Sequence, residues 1–457
     1  MTFINEKEIE GMLESSAQGA KVDAIIAKSL SLKGLSQEEA AVLLNATDRK
    51  LLEKMYAAAR KIKESIYGKR LVFFAPLYLT NACVNDCIYC GFRASNRSLK
   101  RKVLTQEEIG TETLALLEQG QKRLLLVAGE HPVSSNISYL ESSIKTVYSK
   151  KKGNGEIRRV NVNVAPLSVA DFRRLKDAGI GTYQLFQESY HRGTYSQMHP
   201  SGPKSDYEYR LYGMDRAQEA GIDDVGIGAL FGLHDYRYEV LAMLAHASHL
   251  EEKFGAGPHT ISVPRLEPAQ GAPLASKPPH PVSDADFKKL VAVLRMAVPY
   301  TGMILTTREK PPFRDEIFAT GISQISAGSK TQPGGYAKGK KELEQFAVSD
   351  ERTLPQVVND ILGEGFYPSF CTACYRVGRT GEDFMRLAKP GAIGNFCTPN
   401  CILTFKEYLL DYASPELRSK GEKVIERELL EISDPKRREL TKKKLLELEK
   451  GKRDLYF

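Results

Sequence analysis

Long apolar runs are missing from this sequence, and so is cysteine over most of its length. Nowhere in the 457 residues do about 18 apolar residues follow one another, the length a bilayer-spanning helix needs. The opening MTFINEKEIEG has no basic segment followed by an apolar run. The chain therefore reads as cytoplasmic, with no membrane partner. All seven cysteines fall within 83–90 and 371–401, and the 280 residues between them hold none. In a reducing compartment such clustering argues against a disulfide framework and for metal ligands or redox groups. The net charge of +8 is modest for this length and does not by itself indicate nucleic acid. The basic run NRSLKRK (96–102) also lacks the interleaved aromatics that stack on bases. What is present, 42% apolar and 27% charged residues, suits a globular chain able to bury a sizeable core.

Residues 1–70 read as a helical extension. SQEE at Ser36–Glu39 has capping-box form, and Asp48 to Tyr67 keeps helical spacing until Gly68. The pattern then changes to eight strand-like segments: LVFFAPLYL (71–79), RLLLVAG (123–129), VNVNVAP (160–166), TYQLFQ (182–187), DVGIGALFG (224–232), TISVPR (260–265), GMILTTR (302–308) and SQISAGS (323–329). Amphipathic segments lie between them, opened by TQEEI at Thr105, SVADF at Ser168 and SDADF at Ser283, each pairing a cap residue with an acid three positions on. Eight strands alternating with helices predict an α/β chain with a (β/α)8 TIM-type barrel, although an open doubly wound sheet gives a similar string. The parts are then the N-terminal helical extension (1–70), the barrel (71–340) and a mainly helical C-terminal domain with the second cysteine group (341–457). TQPGGYAKGKKELEQF (331–346) reads as a mobile surface loop. The charged stretch KRRELTKKKLLELEKGKR (436–453) reads as a solvated amphipathic helix packed on the barrel.

The stretch TNACVNDCIYCGF (80–92) follows the first predicted strand and spaces Cys83, Cys87 and Cys90 as C-x3-C-x2-C. That is the C-terminal mouth of a barrel, where such folds carry their chemistry. A cubane of four irons and four sulfides usually takes four thiolates; three leave one iron open to a small molecule, as catalytic zinc sites keep an open position. The alternative is a zinc site completed by a distant His or Cys. The second group is FCTACYRVGRTGEDFM, with Cys371 and Cys374, and NFCTPNCILTF, with Cys397 and Cys401. Counted as C-x2-C and C-x3-C, its four sulfurs close a zinc tetrahedron; counted as C-x2-C-x22-C, three make a second incomplete cluster. Ligand arithmetic alone leans to zinc.

C-V-N-D-C-I-Y-C resembles the cluster motif of the radical S-adenosylmethionine (SAM) superfamily. C-T-A-C-Y-R-x-G-R-T-G with a third cysteine 22 residues on resembles the C-terminal domain of the HydG family, the tyrosine lyases of FeFe-hydrogenase maturation. Blocks such as FAPLYLTNACVNDCIYCGFRASN, MHPSGPKSDY and GPHTISVPR extend that likeness from about residue 30 to the C-terminus. The related tyrosine lyases of thiamine biosynthesis share much of the barrel pattern but lack the C-terminal cysteines. Two positions depart from the family: Ala128 stands where a Gly-Gly-Glu segment is usual, and Cys401 where a small apolar residue is expected.

The resemblance implies two 4Fe-4S clusters. One, on Cys83, Cys87 and Cys90, binds SAM through its fourth iron, with Tyr89 near the adenine and Ala128, Gly129 and Glu130 at the SAM amino group. The other, on Cys371, Cys374 and Cys397, carries a fifth, labile iron with free cysteine and a protein imidazole, for which His249 and His259 are the candidates. It further implies that a 5′-deoxyadenosyl radical from SAM splits L-tyrosine into p-cresol and dehydroglycine, and that carbon monoxide and cyanide from the latter are captured at iron. Arg308, at the end of the seventh predicted strand, suits the tyrosine carboxylate, against a salt bridge to Glu309 or a nearby acid. Glu188, Tyr190 and His191 are candidates for proton transfer; His191 and His199 either touch substrate or shape their loop. Implied partners are a ferredoxin or flavodoxin electron donor and other FeFe-hydrogenase maturases, with no membrane and no nucleic acid. The competing readings are a thiamine-pathway tyrosine lyase and a zinc-stabilised nucleic-acid binder.

Overall fold

Residues 70–80, RLVFFAPLYLT, form the longest strand of the chain because nearly every residue is apolar and both faces are covered. In this computed structural model, which describes residues 2–14, 18–337 and 344–457, eight parallel strands follow one another around a closed barrel: β1 (Arg70–Thr80), β2 (Arg123–Ala128), β3 (Arg159–Asn163), β4 (Thr182–Gln184), β5 (Asp224–Gly228), β6 (Thr260–Ser262), β7 (Gly302–Leu305) and β8 (Gln324–Ser326). The ring closes where β8 pairs with β1, Val72 opposite Gln324. All eight predicted strands are present, several shorter than their apolar runs, and the doubly wound alternative is excluded by closure.

Helices start where the caps predict. Ser36 and Thr105 make complete capping boxes with Glu39 and Glu108, each worth about 1 kcal/mol, and Ser168 and Ser283 cap Val169–Asp177 and Asp284–Ala297. Gly68, at φ +60°, ends the helix Arg49–Tyr67. That helix packs on Asp284–Ala297, which is buried along Lys289–Ala297 because it lies between the barrel and the N-terminal extension. Among the described residues no helix is long and apolar enough to cross a membrane.

After the barrel the chain returns beneath it. Strand β9 (Tyr367–Ser369) pairs with β1 at residues 70–72; since Val72 also faces Gln324 of β8, β9 lies on the β2 side, below β2. Helices follow at Gly394–Asp411, Pro415–Leu430 and Pro435–Glu449. Pro435–Glu449 packs chiefly on Gly394–Asp411 rather than on the barrel, correcting the expected placement. The boundary expected at 340 and 341 lies outside the described residues, as does the middle of the 331–346 segment. Its flanks are not a surface loop: Thr331, Gln345 and Phe346 line the barrel interior.

Strand alternation sorts the interior. Arg70, Val72, Phe74, Pro76 and Tyr78 of β1 all point inward and span on the order of 25 Å from the lower rim to the upper mouth. The middle of this interior is polar, with buried Asn161, Gln184, Thr260 and Gln324 where barrels usually stack Val, Ile and Leu. Two glycines leave room there: a Cβ on Gly226 would stand 2.3 Å from Thr260 Oγ1, and one on Gly302 2.3 Å from Gln324 Nε2.

Candidate active site

The loop after β1 carries the first cysteine group to the upper mouth. Cys87 is buried and Cys83 and Cys90 half-buried; Cys90 packs with Cys87 and Tyr89 on one side and with Cys83 and Phe92 on the other. Backbone bonds fix the loop: Val84 N–H donates to the Glu130 carbonyl (2.8 Å) and Gly91 N–H to that of Gln345 (3.1 Å). Gly129 is needed for this approach, since a Cβ there would meet the Ala82 carbonyl oxygen at 2.4 Å. Half-buried Ala128, Gly129 and Glu130 thus lie against the cysteine loop, and Glu130 Oε2 accepts from Asn85 Nδ2 at 2.6 Å. Burial raises the Cys87 thiol and pushes Cys90 up to about 12. Such thiols ionise when a metal supplies the compensating charge. Donors already face the sulfurs: Asn85 Nδ2 at 3.7 Å from Cys83 Sγ, and Phe92 N–H and Gln345 Nε2 at 3.4 and 3.8 Å from Cys90 Sγ. These residues fit a three-thiolate cluster.

Beneath the loop lies a cavity of about 150 Å³ whose wall includes Tyr89, Cys90, Glu188, Lys204, Arg308 and Phe346. Tyr89 Oη meets His199 Nε2 at 2.8 Å, and His199 Nδ1 meets the Tyr195 carbonyl at 2.7 Å. The carbonyl can only accept, so Nδ1 carries the proton and Nε2 accepts from the tyrosine. Burial, then Lys204 and Arg210, holds His199 down to about 2, so the ring stays neutral. His199 therefore orients the aromatic residue of the cysteine motif.

Glu188 has φ +72°, uncommon outside glycine, and its carboxylate pairs with Lys204 (2.6 Å) and Arg210 (3.3 Å). Burial alone would raise its pKa, but the two cations outweigh burial and hold it low. It is a fixed negative charge and a weak base. Tyr190 is buried behind it, bonded to His246 (2.9 Å). His191 caps the helix Arg192–Met198 and stacks on His234 at 4.1 Å, outside the cavity wall. Of the three proton-transfer candidates only Glu188 reaches the cavity.

Arg308 lies 3.3 Å over the Phe346 ring and donates to the Arg265 carbonyl. Its neighbour Glu309 is taken by Arg265 (Nε to Oε1, 3.0 Å), so the expected pairing with Glu309 is not formed. Among the described residues Arg308 has no salt-bridge partner, and it shares the cavity wall with the carboxylates of Glu188 and Glu267, which act on it through space. Of the basic run 96–102, Asn96 and Arg101 bond Gly91, Phe92 and Arg93 carbonyls and so staple the cysteine loop.

At the lower end Cys371 follows β9, Cys374 lies on the short helix Ala373–Arg376, and Cys397 lies on the first turn of Gly394–Asp411. All three line one cavity of about 70 Å³. Arg70 and Arg123 line it too, and Arg159 stacks 3.3 Å over Tyr375, another lining residue. The three guanidiniums are 5%, 6% and 8% exposed, and among the described residues none forms an ion pair. Buried cations are costly unless negative charge lies nearby, and Asp224 acts on Arg159 in this way. The Cys374 thiol, with Arg70 and Arg379, holds Cys397 low, while the Cys374 thiol is itself raised and burial raises Cys371. Among the described residues no three His, Cys, Asp or Glu side chains converge closely enough for a single metal ion. The lower thiols instead surround a space, as a multi-iron cluster requires. Cys401 is fully buried in the core, its Sγ donating to the Pro368 carbonyl (3.2 Å), and does not line the cavity, so the four-sulfur tetrahedron is not assembled.

The two histidine candidates part company. His259 lines the lower cavity, its Nε2 3.2 Å from Tyr375 Oη. His249 is not on that wall; it pairs with Asp215 (2.8 Å) and stacks on Phe3. Arg376 and Arg379, beside Cys374, bind Asp454 and the Phe457 carbonyl and so hold the last residues in place. Sequence reasoning missed the three lower arginines, although a signal exists: β1, β2 and β3 each open on arginine at an inward position.

Residues 77–246 match the Radical SAM superfamily, and 262–367 the Biotin and Thiamin Synthesis associated domain. The chain is 34% identical to the 2-iminoacetate synthase of Escherichia coli K12 over 349 residues, which covers 76% of this chain and 90% of that protein. A crystal structure of HydG, a maturase of the FeFe-hydrogenase, superposes with a TM-score of 0.97 at 57% identity over all of both chains. The HydG of Carboxydothermus hydrogenoformans superposes at 0.84, with 42% identity over 96% of this chain and 97% of that one.

Proposed function

The chain belongs to the HydG family of radical SAM proteins, and from that premise we propose that it cleaves L-tyrosine to p-cresol and dehydroglycine. The second fragment then supplies carbon monoxide and cyanide to a labile iron, which leaves as a precursor of the FeFe-hydrogenase active site. One observation carries this reading: the same eight strands bear a cavity at each end, the upper walled by Cys90 of the first cysteine loop and the lower by Cys371, Cys374 and Cys397, with a polar interior between.

A 4Fe-4S cluster on Cys83, Cys87 and Cys90, together with SAM, supplies a carbon-centred radical when an electron arrives, from a donor of the ferredoxin or flavodoxin class. Tyr89, held by His199, and the Ala128–Glu130 turn bind SAM, and Arg308 grips the substrate carboxylate from the opposite wall. Glu188, ionised between two cations, binds and orients rather than moving protons. Apolar Phe74, Leu125, Val127 and Leu230 keep bulk water from the reacting atoms. Below, Cys371, Cys374 and Cys397 hold the auxiliary cluster, Arg70 and Arg123 balance its negative charge, and His259 with free cysteine holds the cargo iron. Other hydrogenase maturases are the proposed recipients.

The test is anaerobic reconstitution with iron, sulfide, SAM and tyrosine, with p-cresol, carbon monoxide and cyanide assayed in wild type and Cys371→Ala. The expected result is normal p-cresol and little or no carbon monoxide from the variant. Wild-type turnover that yields p-cresol without carbon monoxide would instead place the chain with the thiamine-pathway lyases, and equal loss of both products in the variant would refute separate roles for the two ends.

A further inference from the structure

Asp224 opens β5 at the lower rim and is 2% exposed. Among the described residues no lysine or arginine forms a salt bridge with it, although Arg159 acts on it through space; Oδ1 accepts the Gly381 N–H at 3.2 Å, and Oδ2 has no hydrogen-bond partner. At 3.5 Å from Oδ1 stands Nδ1 of His259, which likewise has no partner. A buried carboxylate and a buried imidazole nitrogen, each incompletely satisfied, thus face each other at the outer limit of bonding distance. The other side of the ring, Nε2, is turned toward Tyr375, the residue directly after Cys374. His249 and Asp215 make the contrasting case, a closed pair at 2.8 Å away from the cavity wall.

We infer that Asp224 is a positioning residue for the lower site. Its carboxylate accepts the Nδ1 proton of His259, which fixes that tautomer and leaves Nε2 unprotonated on the cavity wall as an iron donor once Tyr375 Oη gives its proton to Thr182 Oγ1 instead. Carboxylate-to-imidazole bonds of this kind orient metal-binding histidines and raise their basicity. Gly381 and Tyr375 come from the two C-terminal segments flanking Arg376–Thr380, so docking of that region sets both sides of the ring. The inference rests on the lyase reading for the purpose of the iron, not for the donor geometry.

The experiment strips labile iron from the full-length, cluster-reconstituted protein with a mild chelator and titrates ferrous iron back. Iron per chain and the EPR signal of the lower cluster are followed in wild type, Asp224→Asn, Asp224→Ala and His259→Ala. Asp224→Ala is expected to weaken iron binding about 10- to 100-fold and to change the EPR line shape. Asp224→Asn should fall between it and wild type, because the amide oxygen still accepts Nδ1–H, and His259→Ala should bind no labile iron. The two Asp224 variants should make p-cresol at the wild-type rate. Wild-type iron affinity and line shape in the Asp224 variants, or p-cresol falling in step with iron, would overturn the inference. Should the alanine variant not fold, the isosteric asparagine variant decides by the same criteria. A wild-type protein making no p-cresol would defeat the lyase reading while the iron titration still judged Asp224.

Discussion

The two ends of the barrel bring three cysteines together in opposite ways. At the upper mouth all three cysteines sit on one loop within eight residues; neutral donors touch the sulfurs, and charged Lys204, Glu188 and Arg210 act from around them. At the lower rim three segments supply the thiols, and three buried guanidiniums without ion-pair partners among the described residues surround them. A contiguous loop can wrap a cluster before the barrel closes. A site spread over 27 residues of a separate region exists only after that region docks, and its buried arginines need negative charge nearby.

Removing a sulfur from the upper end should have the largest consequence. Cys87→Ala is expected to bring p-cresol and carbon monoxide alike to background, measured by chromatography and by carbon monoxide capture on haem. Retention of either product would show that the ends do not act in series. Next comes Arg308→Ala, which should lower kcat/KM for tyrosine about 10- to 100-fold, the loss of a charged hydrogen bond of ~1.5–3 kcal/mol. Lysine at that position should recover only part, since it cannot bind a carboxylate through a planar fork. An unchanged kcat/KM would move carboxylate recognition elsewhere in the upper cavity.

The smallest effect concerns the upper wall's support. Glu239 is buried, accepts from Ser189 Oγ (2.6 Å) and Tyr190 N–H (2.8 Å), and so anchors the segment that forces Glu188 into its left-handed conformation. Burial pushes its carboxyl from the ordinary 4.5 up to about 8. Between those values the folded protein holds a proton that the unfolded chain has released. Stability from this group is therefore complete below about 4.5 and is lost as pH rises toward 8. Glu239→Gln should flatten that slope, matching wild type in Tm near pH 5 and exceeding it near pH 8. Parallel Tm profiles for the two proteins would show that Glu239 ionises freely.

The upper site was far more legible than the lower. The C-x3-C-x2-C spacing and its position after an apolar run locate the loop, because contiguous ligands need no knowledge of the rest of the chain. Arg308 follows from strand alternation in GMILTTR. Gln345 and Phe346 were hidden because a Gly- and Lys-rich segment looks solvated, and nothing local reveals that its flanks fold over the mouth. His249 and His259 looked equivalent, both near the lower face by element order. The outward side of the helix Tyr236–Phe254 carries His249 to Asp215 and Phe3, whereas His259, the residue before β6, turns inward to the cavity.

The amino-acid order by itself determined the eight strands, the helix starts and the upper thiol loop, because alternation, capping and short spacings act between residues close along the chain. Which cysteines share the lower cavity, which histidine joins them, why Cys401 does not, and that three arginines lie there depend on β9 pairing under β2 and on helix faces chosen by packing. Several of those contacts, such as Arg70 with Tyr367 and His259 with Tyr375, join residues more than a hundred positions apart, and only the assembled core selects them.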